Sequence, residues 1–87
     1  MPDYGLHTNL ESLEGTSDGT VQTLSLKRRS RKLVIINDHA SNPLSYKFNT
    51  SENFATLKGT EVLTIYFTTN QVIIQGTSCP YRIWIYG

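Results

Sequence analysis

The strongest constraint on this chain is a two-residue alternation of apolar and polar side chains, repeated in short runs from residue 21 to residue 86. Successive side chains of a strand point to opposite faces, so such alternation specifies a sheet with one wet face. Residues 21–26 put Leu24 and Leu26 on one side. Leu44, Tyr46 and Phe48 alternate with Ser45, Lys47 and Asn49, and Leu63, Ile65 and Phe67 alternate with Thr64 and Tyr66. Leu33-Val34-Ile35-Ile36 is wholly apolar and β-branched, the mark of a central strand covered on both faces. Residues 71–75 carry Val72, Ile73 and Ile74, and residues 81–86 alternate again. Turn formers separate the runs: Asn37-Asp38, Ser41-Asn42-Pro43, residues 49–53, Lys58-Gly59, Thr69-Asn70 and residues 76–80. Pro43 and Pro80 stand at strand starts, where a missing N–H does least harm. Thr69-Asn70 reads as a tight hairpin. The expected fold is all-β: a small antiparallel β-sandwich or partly open barrel of six to seven strands.

With 87 residues there is room for one domain and a thin core. The single cysteine, Cys79, excludes an internal disulfide and reads as a buried or strand-edge thiol. No positively charged start followed by an apolar run marks a secretory leader, and no apolar stretch reaches the ~20 residues of a membrane-spanning helix. The expectation is a protein made soluble in a reducing cytoplasm, with no membrane partner.

Charge divides the chain unevenly. Residues 1–26 hold Asp3, Glu11, Glu14 and Asp18 and no Lys or Arg. Lys27-Arg28-Arg29-Ser30-Arg31-Lys32 then places five positive charges in six residues, and beyond it the charges balance. The first nineteen residues are poor in apolar side chains and punctuated by Gly5, Gly15 and Gly19. Leu6, Leu10 and Leu13 recur at a spacing that suits one or two weak helical turns. Residues 1–19 therefore read as an N-terminal arm, flexible or docked on a neighbour, ahead of a β-sandwich domain at 20–87.

Catalysis is poorly supplied. His7 and His39 lie in the arm and in a turn, without zinc or triad spacing. The carboxylates of the β region, Asp38, Glu52 and Glu61, all stand beside turns; Asp38 suits a turn residue bonding its local backbone. No glycine-rich phosphate loop is present. No enzyme activity, cofactor or metal is expected. The basic block, with Lys27, Arg28, Arg29 and Arg31, suits either a solvated hairpin between two strands or a contact with an acidic protein surface. It has no interleaved aromatic for single-stranded nucleic acid, so that partner is disfavoured. If Ile83 and Ile85 face the core, then Arg82, Trp84 and Tyr86 share the opposite face, and Tyr66 lies outward on its own strand. Such a row suits a protein interface, or stacking against sugar rings.

The segment from Lys32 to Tyr86 resembles small β-sandwich virion proteins of tailed bacteriophages. The carrying residues are Lys32-Leu33-Val34-Ile35-Ile36-Asn37-Asp38, Leu44-Ser45-Tyr46-Lys47-Phe48, Phe54-Ala55-Thr56-Leu57-Lys58-Gly59-Thr60-Glu61 and Tyr81-Arg82-Ile83-Trp84. The turn at Gly59-Thr60 departs from the family in the order of its residues, and residues 1–30 lie outside the resemblance. The resemblance implies a structural role in the virion: a capsid decoration (cement) protein on the major capsid protein, or a minor neck or tail protein. Decoration subunits form symmetric clusters, so it also implies a homo-oligomer, with a trimer expected.

Overall fold

The computed structural model describes residues 10–87, and the backbone alone at Leu10. Seven strands follow in chain order: β1 (Leu10–Asp18), β2 (Gln22–Ser25), β3 (Lys32–Asn37), β4 (Leu44–Lys47), β5 (Ala55–Leu57), β6 (Val62–Ile65) and β7 (Gln71–Tyr86). Every pairing is antiparallel, no helix occurs among the described residues, and the sheet curls into a half-barrel.

The long strand β7 organises the rest. Its first half lies between β2 and β4, and its second half between β1 and β3. β6 flanks β3, and β5 flanks β4. Registers show that β1 and β2 run in succession along one side of β7, and β3 and β4 along the other. The fold is thus four long antiparallel strands, three of them broken at a corner and the fourth, β7, bent through it without a break. A flat strand of 16 residues would extend about 50 Å, more than the longest extent of the molecule, 41 Å. The connection 26–31 demands the same bend. It leads from Ser25 beside Gln71 to Lys32 beside Tyr86, and six residues reach only about 20 Å.

The corner is written in the backbone. Inward side chains of β7 are Val72 and Ile74 before it, and Cys79, Tyr81, Ile83 and Ile85 after it, so the parity of the strand changes. Ser78, at φ 53°, makes the change within β7; Gly19 at φ 91° and Thr60 at φ 67° mark the β1–β2 and β5–β6 corners. Leu26, Leu33, Ile35, Leu44, Phe48 and Leu57 complete the core between the two halves.

Buried amides stitch the corner. Asn37, fully buried, donates through Nδ2 to the carbonyls of Asn42 (2.8 Å) and Leu57 (3.0 Å), and its Oδ1 accepts from the His39 amide (3.1 Å). Nδ1 of His39 in turn accepts from the Ser41 and Asn42 amides. The Cys79 N–H donates to Ser17 Oγ at 2.9 Å, and the buried Cys79 thiol lies against the carbonyls of Asn42 and Pro43. Gly59 is required here, because a Cβ would stand 2.7 Å from the Ser41 backbone.

Several expectations from the sequence are corrected. Residues 10–18 are not an arm or a helical turn but strand β1, paired with β7 from Leu10↔Tyr86 to Asp18↔Thr77. Leu13 packs on the core of its own chain instead of presenting itself to a neighbour. Strand pairing wins because β7 would otherwise leave a full row of backbone groups unbonded. Leu6 and the rest of residues 1–9 lie outside the described residues. The basic block joins no hairpin, since β2 and β3 do not pair. Thr69-Asn70 likewise turns the chain between two strands that are not partners, β6 and β7. Residues 71–75 and 81–86 are one strand, not two, because the bulge at Ser78 lets the ladder continue through residues 76–80.

Candidate functional site

Register places the outward residues of β1, β7, β3 and β6 in cross-strand rows. Arg82 lies opposite Ile36 on one side and Glu14 on the other, and Trp84 opposite Val34 and Ser12. Tyr86 faces Lys32. Val62 and Thr64 of β6 extend the first two rows beyond Ile36 and Val34, and Tyr66, just past the end of β6, lies beside Lys32 in the third. Ile83 and Ile85 are fully buried on the inner side, so Arg82, Trp84 and Tyr86 do share the outer face.

Charged groups are fixed on this face by paired contacts. The Arg82 guanidinium donates from Nε to Asp38 Oδ2 at 2.8 Å and from a terminal nitrogen to Oδ1 at 3.0 Å, a two-point fork. It also lies 5.7 Å from the centre of the Trp84 ring. That hydrogen bond from Arg82 holds the Asp38 carboxyl below its usual range, against some desolvation. Arg82 is pushed up, first by the Asp38 bond and with a smaller contribution from Glu14. Asp38 therefore holds Arg82 over the sheet and does not bond its local backbone, the role the sequence suggested; Asn37 does that. The Lys32 ammonium lies 4.8 Å from the Tyr86 ring and 5.8 Å from the Tyr66 ring, between the two. Val34 and Ile36 are buried beneath these rows although they point away from the main core. Tyr66 remains 77% exposed, whereas Trp84 and Tyr86 are half-buried.

The structure divides the basic block. Lys32 joins the aromatic face, while Lys27, Arg28, Arg29 and Arg31 are exposed on a strap over the end of the half-barrel. The strap is tightly bonded. The Lys27 amide donates to the Glu11 carboxylate, the Arg31 amide to Tyr86 O at 2.6 Å, and the Ser30 amide to Thr69 O at 2.9 Å. Ser30 itself is buried, its hydroxyl donating to Phe67 O and accepting from the Thr69 amide. Lys32, Asp38, Glu14 and Val62 belong to the face but were not among the expected site residues. Parity from Val34 and Ile36 identifies Lys32; the others depend on a register that sequence does not state.

Hollows also open elsewhere among the described residues. One of about 480 Å³ lies at the corner, lined by Gly19, Asn42, Ser45, Gln75 and Thr77 among others. Another, about 360 Å³ and mostly apolar, opens beside Tyr46, Phe48, Ile65 and Phe67. Among the described residues, no group of three or more His, Cys, Asp or Glu side chains is placed to hold a metal ion. No protein-family model and no curated protein matches the chain.

Proposed function

We propose that this chain is a non-enzymatic assembly module of a phage virion, docking on the major capsid protein or another shell, neck or tail protein through the outer face of β1, β7, β3 and β6. The observation that carries the docking reading is the ordered row of Arg82, Trp84, Tyr86, Lys32 and Tyr66 on a rigid sheet. Aromatic and arginine side chains already held in one geometry lose little freedom on binding, which is where interface energy concentrates. The virion setting rests on the resemblance of residues 32–86.

The geometry favours a protein partner over a sugar. Stacking on a sugar needs a ring face open to solvent, and of the three aromatic candidates only Tyr66 is widely exposed. The test is co-sedimentation of the purified protein with assembled, undecorated heads or tails. Saturable binding is expected, weakened at least tenfold by Trp84→Ala. Binding that ignores Trp84→Ala and Tyr66→Ala moves the contact off this face, and no binding to any particle ends the virion reading.

A further inference from the structure

The open side of β6 is exposed in a way that the docking face does not require. Val62 and Tyr66, 59% and 77% exposed, are with Val21 the large apolar side chains left open among the described residues. They stand four residues apart with Thr64 midway. Among the described residues β6 pairs with β3 alone, so its second side has no strand beside it.

The phase of the ladder decides which backbone groups face that open side. The Asn37 N–H donates to Glu61 O at 3.1 Å and the Phe67 N–H to Arg31 O at 3.1 Å. Both pairs continue the register of Leu33↔Ile65 and Ile35↔Leu63. Bonded and unbonded pairs alternate in an antiparallel ladder. Residues 61, 63, 65 and 67 therefore bond towards β3, and Val62, Thr64 and Tyr66 direct their N–H and C=O outward. The edge also lacks the usual guards against pairing: residues 62–67 contain no charge, proline or glycine. The opposite edge strand, β1, carries Glu11, Glu14 and Gly15.

We propose that this edge pairs with the same edge of a second copy, antiparallel, across a two-fold axis at Thr64. Three requirements then coincide. Pairing about Thr64 sets Thr64 against its own symmetry mate and Val62 against Tyr66 of the second copy, so all six outward-facing residues meet in bonded pairs. A one-residue slip would set outward groups against groups already bonded to β3. An axis at Val62 or at Tyr66 would leave the other end of the edge unpaired. The side-chain pairs are also favourable ones, threonine with threonine and a β-branched residue with an aromatic. A two-fold contact needs a patch that is its own complement, and this edge is one. The result is one sheet running from β1 of one copy to β1 of the next, with both docking faces on the same side. A two-fold pair replaces the trimer expected from the resemblance. The contact is small, so the association is expected to be weak and concentration-dependent.

The test uses purified protein alone, so it is independent of the particle-binding reading. Sedimentation velocity between 10 µM and 1 mM is compared for wild type, Thr64→Lys and Thr64→Pro. The lysine variant sets two ammonium groups at the axis; the proline variant removes an outward N–H without touching the β3 ladder. Wild type is expected to dimerise, with each variant at least tenfold weaker and its far-UV spectrum kept. Amide exchange of Val62, Thr64 and Tyr66 in wild type should slow as concentration rises, while Leu63 and Ile65 stay protected throughout. This exchange pattern decides the matter should either variant fail to fold. A wild type that stays monomeric at 1 mM overturns the proposal. So does a dimer that both variants preserve, or edge protection that needs a second protein.

Discussion

Replacing Asn37 by alanine removes three hydrogen bonds from the corner at one stroke and leaves Leu57 O, Asn42 O and the His39 amide without their partner. The Leu57 carbonyl is bonded where water does not reach, so its loss costs about 1–3 kcal/mol; the two half-accessible partners regain water and cost about 0.5–1 kcal/mol each. The sum is about 2–5 kcal/mol. A domain of this length has a total stability of about 4–13 kcal/mol. Urea unfolding followed by tryptophan fluorescence measures this directly, since Trp84 is the only tryptophan. With a slope of about 1 kcal/mol per molar urea, the midpoint should fall by about 2–5 M. Asn37→Asp provides the sharper check. It sets an acceptor against two carbonyls and pushes its own carboxyl upward on folding, so the folded state binds the extra proton. Its stability should therefore fall as pH rises above about 4, leaving the variant weaker than the alanine at pH 7 and closer to wild type in acid. An alanine variant within about 0.5 kcal/mol of wild type, or an aspartate variant whose deficit ignores pH, would refute the role given to Asn37.

Other outcomes follow from the same geometry. Asp38 is held low by its bond from Arg82, and Glu52 by the Phe48 and Asn49 amides. Both stabilise the fold above about pH 4 and lose that contribution as pH falls through their folded pKa; Asp38→Asn should flatten the acid limb of a urea-midpoint titration. Thr60 is a β-branched residue in the left-handed region, so Thr60→Gly should raise stability by about 1 kcal/mol in the same assay. Ser30→Ala should cost about 1–2 kcal/mol, because its hydroxyl both donates to Phe67 O and accepts from Thr69. Deletion of residues 1–19 removes β1 and should abolish cooperative thermal unfolding, whereas deletion of residues 1–9 leaves every described strand in place.

Side-chain alternation made the β runs legible, and with them the inner and outer sides of residues 81–86. It also identified the outward row of Arg82, Trp84 and Tyr86, because parity within a strand is a local property. Pairing is not local. Nothing between residues 10 and 18 announces a strand: Glu11, Glu14, Gly15 and Asp18 are poor strand formers, and β7 supplies the partner from the far end of the chain. The apparent break at 76–80 misled for the same reason. Gly76 and Pro80 signal a turn when read alone, yet a bulge at Ser78 absorbs them into a continuous ladder. Asp38 could be found only by knowing that Arg82 lies across the corner from it.

The central place of β7 also sets an order of assembly during synthesis. A ribosome making this chain releases β1 and β2 first, yet both must wait for a strand more than forty positions later. The segments β3–β4 and β5–β6 can join as a bent hairpin as soon as both have emerged. β7 then enters between that hairpin and the waiting β1–β2 segment, completing two ladders in one event. A nascent chain halted before residue 71 would therefore hold a partial sheet with both of its central edges unpaired, a state open to mispairing with its neighbours on the same message.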